Sequence, residues 1–111
     1  MRPLYLCGIR LEMTGNIPDS LWSDEVLSFE RESPFSHSHT LHFVSESEVA
    51  QPTLDDPEFC YRRHDLVFST VGHRSVLRHD GGQAAALAGL ELALSQAVRA
   101  IGGCLLHASA G

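Results

Sequence analysis

The sequence contains no lysine: all eight basic residues are arginines. That absence removes Schiff-base chemistry, a lysine general base, and the phosphate-loop lysine that reaches nucleotide phosphates. Nor is there a basic run; the doublet Arg62-Arg63 comes just after an acidic stretch at residues 55–58. With 14 acidic residues against 8 basic ones, the formal net charge is −6. Such a chain has no basic face with which to displace counterions, so nucleic acid is not an expected partner. Long apolar runs are missing as well. The strand-like opening is broken by Arg10 and Glu12, too short and polar for a signal peptide or a membrane span, and the cytoplasm is the expected location. Three cysteines, Cys7, Cys60 and Cys104, lie far apart without a CxxC pair. They make neither a zinc knuckle nor a disulfide framework, and are expected as small buried apolar residues in a reducing compartment.

What remains is the composition of one ordinary domain, 1–111, with 43% hydrophobic and 20% charged residues. A chain of this length buries roughly 60–70% of its unfolded surface, enough for a core without staples. Residues 4–13 are rich in strand formers, with Gly8 as a bulge or point of close approach. Turn chemistry at residues 14–19 ends that strand. Residues 24–31 place Val26 and Ser28 opposite Leu27 and Phe29, which predicts a half-buried strand. Residues 32–38 read as loop, residues 40–45 as a strand, and the acidic residues 46–57 as a surface excursion. Three further strands are predicted at 59–63, 65–71 and 75–78, with Val71-Gly72-His73-Arg74 as the turn between the last two.

At Asp80-Gly81-Gly82 the pattern changes to an alanine- and leucine-rich helix over 83–101, for which Asp80 is a candidate cap. Ala86, Leu90, Leu94, Ala97, Val98 and Ile101 form its apolar face, flanked by Leu87, against a narrow polar stripe of Glu91, Ser95 and Arg99. A helix so apolar calls for cover on two sides, one of them the sheet. Gly102-Gly103 ends it, and residues 104–108 begin a final short strand. The expected class is α+β: a mainly antiparallel sheet of about five to six strands, one long C-terminal helix packed on it, and that last strand.

Candidate chemistry centres on histidine. His37, His39 and His42 fall within six residues. On a strand His37 and His39 share a face and are the candidate metal pair, whereas His42 points the other way. No metal site is assigned: the preferred reading is exposed or half-exposed histidines that hold no metal, since a metal site also needs a second shell. His64-Asp65 and His79-Asp80 resemble catalytic pairs with Ser69, Ser75 or Ser109 as nucleophile. Neighbours on a strand face opposite sides, however, and no GxSxG elbow occurs. No catalytic residue is assigned. Glu46, Glu48, Asp55 and Asp56 lack the order of a calcium loop.

The tail is more specific. The run ELALSQAVRAIGGCLLHASAG over residues 91–111 resembles the boundary region of HPr-kinase-like proteins, through Gly102, Leu105, Leu106, His107, Ala108 and Ser109. The opening Tyr5-x-x-Gly8, the turn at Ile17-Pro18 and the run from Asp65 through Phe68 to Gly72 resemble the family's earlier elements in order. The stretch 22–57 matches nothing in that pattern. In the family the LHAS strand leads to a phosphate loop of the form GxxxxGK[ST], absent from this sequence. The resemblance therefore implies an ATP- and magnesium-dependent parent kinase. Within it this chain is an accessory domain without a catalytic or cofactor-binding residue of its own, inactive alone, and residues 103–111 are the first strand of the kinase core. The expected interface with that core, in cis or on another chain, is Leu87, Leu94, Cys104, Leu105, Leu106 and His107. His107 is read as a packed strand histidine with a supporting role as its alternative. The rival readings are a stand-alone protein- or peptide-binding module using a free sheet edge, and a metal-responsive protein working through the histidine cluster.

Overall fold

A computed structural model describes residues 2–6, 8–45 and 56–100. The chain folds as α+β, with a six-stranded sheet and one long helix. The strands are β1 (Arg2–Leu6), β2 (Ile9–Gly15), β3 (His37–Ser45), β4 (Phe59–Arg63), β5 (Leu66–Val71) and β6 (Arg74–His79), in the order β1-β2-β3-β6-β5-β4. The helices are α1 (Asp24–Leu27) and α2 (Gln83–Ala100). No helix among the described residues is long and apolar enough to cross a membrane.

The mainly antiparallel sheet expected from the sequence is corrected to a mixed one. The β1–β2 hairpin and the β4–β5–β6 meander are antiparallel, but β2 pairs with β3 in parallel, and so does β3 with β6. Short turns can join only antiparallel neighbours, while β2 returns to β3 through a crossover that carries α1.

Two local expectations also change. The single strand at 4–13 is a hairpin, with Leu6 opposite Ile9 and Gly8 in the turn at φ +72°, a conformation glycine adopts without a Cβ clash. The strand at 24–31 is instead α1 followed by a 3-10 turn, Ser28–Glu30. Ser23 caps α1 by accepting the Val26 amide at 3.3 Å, and Asp24 and Glu25 in the first turn suit the positive helix end. Val26 is buried and Phe29, three positions on, packs against the core. Thus a three-residue spacing prevailed over the alternation of period two.

The strands at 59–63, 65–71 and 75–78 and the turn at Gly72-His73 occur as expected, as does the strand at 40–45, whose start lies earlier at His37. One face of the sheet holds Leu4, Leu11, Met13, Leu41, Phe43, Leu66, Phe68 and Leu77 beneath α1 and α2. The opposite face carries Arg10, Glu12, Thr14, His42, Val67, Val76 and Arg78. There Arg10 stacks 6.0 Å from the Tyr5 ring centre and 5.8 Å from that of Phe35, and pairs with Glu12 at 3.0 Å. Cys60 lies on that face of edge strand β4 and is exposed, which corrects its expected burial; Cys7 and Cys104 lie outside the described residues.

The stripe of α2 closest to the sheet is made of small residues: Ala85, Gly89, Ala93 and Ala97, each four apart and buried. A Cβ on Gly89 would come within 2.9 Å of Leu77 Cγ and Cδ1 and closer still to Cδ2. Leucines would hold the helix further off. Leu90 and Val98 are buried beside this stripe, Leu87 and Leu94 only partly, and Glu91, Ser95 and Arg99 face outward. Asp80 does not cap α2 directly. Its carboxylate accepts the Gly82 amide at 2.8 Å, and the Gly82 carbonyl accepts the first helical bond, from Ala86. The predicted excursion at 46–57 falls largely outside the described residues, and the final strand at 104–108 entirely so.

Candidate functional site: a polar relay and its cleft

Parallel pairing of β3 with β6, and antiparallel pairing of β6 with β5, sets His39, Ser75 and Thr70 near one another on the helix-covered face. His39 Nε2 lies 2.7 Å from Ser75 Oγ, which lies 2.8 Å from Thr70 Oγ1. All three are buried, His39 and Ser75 at 1% exposure. His39 Nδ1 has no hydrogen-bond partner among the described residues. Burial, helped by the neighbouring His73, holds the imidazole pKa at about 4, so His39 is neutral at physiological pH. A serine hydroxyl on an imidazole nitrogen is the first half of a nucleophile–base pair. Here neither member is reachable, and the arrangement is a relay of hydroxyls ending in a buried ring.

Thr70 connects this relay to the surface. It lines a cleft of about 420 Å³ with Glu58, Gly72, His73, Gln96 and Arg99, between the β5–β6 turn and the last turns of α2. Glu58 is fixed there twice: its amide donates to the Thr70 carbonyl at 2.8 Å, and its Oε1 accepts the Gly72 amide at 3.1 Å. A second cleft, about 260 Å³, lies between β4 and the outer side of α2, lined by Tyr61, Arg63, Ala88, Glu91, Leu92 and Ser95.

The histidine cluster is divided by the sheet. His37 is exposed and its Nδ1 sits 2.8 Å from Ser36 Oγ. His39 lies on the same face, but is buried with Nε2 on Ser75. His42 is exposed on the opposite face, with Nδ1 2.9 Å from Thr14 Oγ1. Among the described residues no three His, Cys, Asp or Glu side chains converge on a common point.

The two His-Asp neighbours also separate. Asp65 takes a two-pronged bond from Arg63, Nε to Oδ1 at 2.6 Å and Nη2 to Oδ2 at 2.8 Å, across the β4–β5 turn. The Arg63 bond holds the Asp65 carboxyl below its ordinary pKa. His79 is a brace. The Gly81 amide donates to its Nδ1 at 3.0 Å, which leaves the proton on Nε2 to donate to the Asn16 carbonyl at 2.9 Å. Ser69 is buried on β5, while Ser109 and the expected interface residues Cys104, Leu105, Leu106 and His107 lie outside the described residues.

The donor set of the larger cleft does not suit the triphosphate and magnesium that the resemblance attaches to a kinase core. It offers one guanidinium against one carboxylate. Comparison with protein-family models, curated proteins and solved structures found no significant match to this chain.

Proposed function

We propose that the chain is a non-catalytic accessory domain of an HPr-kinase-like, ATP-dependent kinase of the cytoplasm, packing on the kinase core and supporting it. The observation that carries this reading is the incomplete cover of α2. The sheet takes its small-residue stripe, while Leu87, Leu92 and Leu94 keep part of their surface outside the core. The LHAS residues follow the end of that same helix, so a core beginning there would meet this flank. A sequence with neither lysine nor GxxxxGK[ST] supports a helper rather than a catalyst. The test is the intact mass of the protein made from its native gene, followed by an assay for ATP-dependent phosphoryl transfer. A mass above that of the 111-residue chain, together with transfer activity, is expected. A mass equal to it would refute the reading.

A second reading, a stand-alone module that binds an acidic peptide along a free edge, rests on the contrast between the two edge strands. β1 carries Pro3, which cannot donate to an added strand. β4 has no proline, and its exposed Arg62 has no ion-pair partner among the described residues. Substituting Arg62 by proline should abolish peptide capture in this reading and leave a kinase accessory role intact.

A further inference from the structure

The larger cleft is of ligand size, within the range of roughly 300–1,000 Å³ typical of small-molecule sites. Its charged groups are of both signs and are held by different elements: Glu58 next to the β5–β6 turn, Arg99 on α2. Arg99 and Gln96 have no hydrogen-bond or ion-pair partner among the described residues. Glu58 is oriented through Oε1 by the Gly72 amide, and its second oxygen has no described partner. We propose that this cleft binds a small zwitterion, a molecule bearing an ammonium group and a carboxylate or phosphoryl group on one short skeleton.

The guanidinium fork matches either oxyanion in a two-pronged geometry. The Glu58 carboxylate, an acceptor only, matches the ammonium. A bare anion would meet Glu58 and a chain of net charge −6, and a bare cation would meet Arg99; a ligand with both charges satisfies each group.

Thr70 supplies the polar floor. Its hydroxyl and that of Ser75 rotate, so the string Thr70–Ser75–His39 can run in either direction. In one direction Thr70 offers the cleft a lone pair, in the other a proton. His39 makes both directions available because Nδ1, with no partner among the described residues, imposes no tautomer on the ring. The relay thereby adapts the floor to the ligand's own hydrogen-bonding group, without moving the backbone. The inference stands under either reading of the chain's role.

The test is a titration of the ¹⁵N-labelled protein with O-phosphoethanolamine, β-alanine, inorganic phosphate and ethylammonium. Either zwitterion should shift the Gly72, His73 and Arg99 resonances saturably, with a Kd about tenfold or more below those of the two single-charge probes. The better of O-phosphoethanolamine and β-alanine, which carry one oxyanion each across the same two-methylene spacer from the ammonium, identifies the oxyanion. Arg99→Gln and Glu58→Gln should each weaken that binding about tenfold or more. Both residues are exposed, and glutamine at 58 keeps an acceptor for Gly72, so thermal melts of the variants should match the parent. Absence of saturable shifts overturns the proposal. So does phosphate binding as tightly as either zwitterion, or unchanged binding in a folded Arg99→Gln protein.

Discussion

Gly89→Ala should destabilise the protein, although alanine is the better helix former by about 1 kcal/mol. The new methyl would sit 2.9 Å from both Leu77 Cγ and Cδ1, whereas carbon atoms in contact settle at about 3.5–4.0 Å. Leu77 is fully buried in the row that joins Phe43, Leu77 and Phe68 across three strands, so it has little room to retreat. Overpacking of this kind costs about 1–3 kcal/mol. Set against the propensity gain, the expected net loss is about 1 kcal/mol, or a fall in Tm of about 5 °C. The sign should reverse once Leu77 is truncated. Leu77→Ala alone should cost about 2–5 kcal/mol. Adding Gly89→Ala to it should restore about 1 kcal/mol, because the atoms that clash are gone and the methyl enters the space they left. Urea unfolding followed by circular dichroism at 222 nm measures all four corners of the cycle, and the expected coupling is about 2 kcal/mol. An equal effect of Gly89→Ala in both backgrounds, or a gain in the parent, would refute the close-approach argument.

Three further outcomes are expected. His39 has a folded pKa of about 4 against an ordinary 6.5, so the unfolded chain binds its proton more readily. Stability is complete above pH 6.5 and drains as pH falls toward 4. The loss is at most about 3 kcal/mol, nearer 2 with solvent screening, and His39→Leu should remove that slope from urea titrations. Asp65→Asn should destabilise at neutral pH, because the folded carboxyl is held below its ordinary pKa by Arg63. The parent's advantage should vanish as acid protonates that carboxylate; an advantage that persists at low pH would show that the Arg63 pair is not its source. Cys60, exposed on β4, should react with a maleimide in the native protein, as peptide mapping by mass spectrometry would record; protection of that thiol would place a covering element over the edge.

The parts of the fold legible in the sequence are those governed by short-range pattern. Short strand-like runs marked β3, β4, β5 and β6, and alanine with leucine marked α2. The same logic separated His42 from His39 by strand parity. At α1 two periods fitted the same eight residues, and the Ser23 cap and the burial of Val26 with Phe29 decided for the helix. The parallel pairings were not legible, because they depend on which distant strands meet. The relay was hidden for the same reason: His39 and Ser75 are 36 positions apart, and nothing local links them before the register is known. Gly89 did carry a signal, since a glycine within an alanine-rich helix marks a close approach.

The topology also sets the order in which the sheet can assemble. The β1–β2 hairpin and the β4–β5–β6 meander close through short turns, on the microsecond scale of isolated hairpins. β3 has neither neighbour nearby in the chain: Thr14 meets His42 across 28 positions, and Thr40 meets Arg74 across the whole meander. Its insertion joins two preformed halves and must overcome the loop-closure entropy of both crossings. Docking of β3 is therefore the expected slow step of folding, and substitutions at Leu41 or Phe43 should slow refolding more than those in either hairpin, as stopped-flow refolding would record.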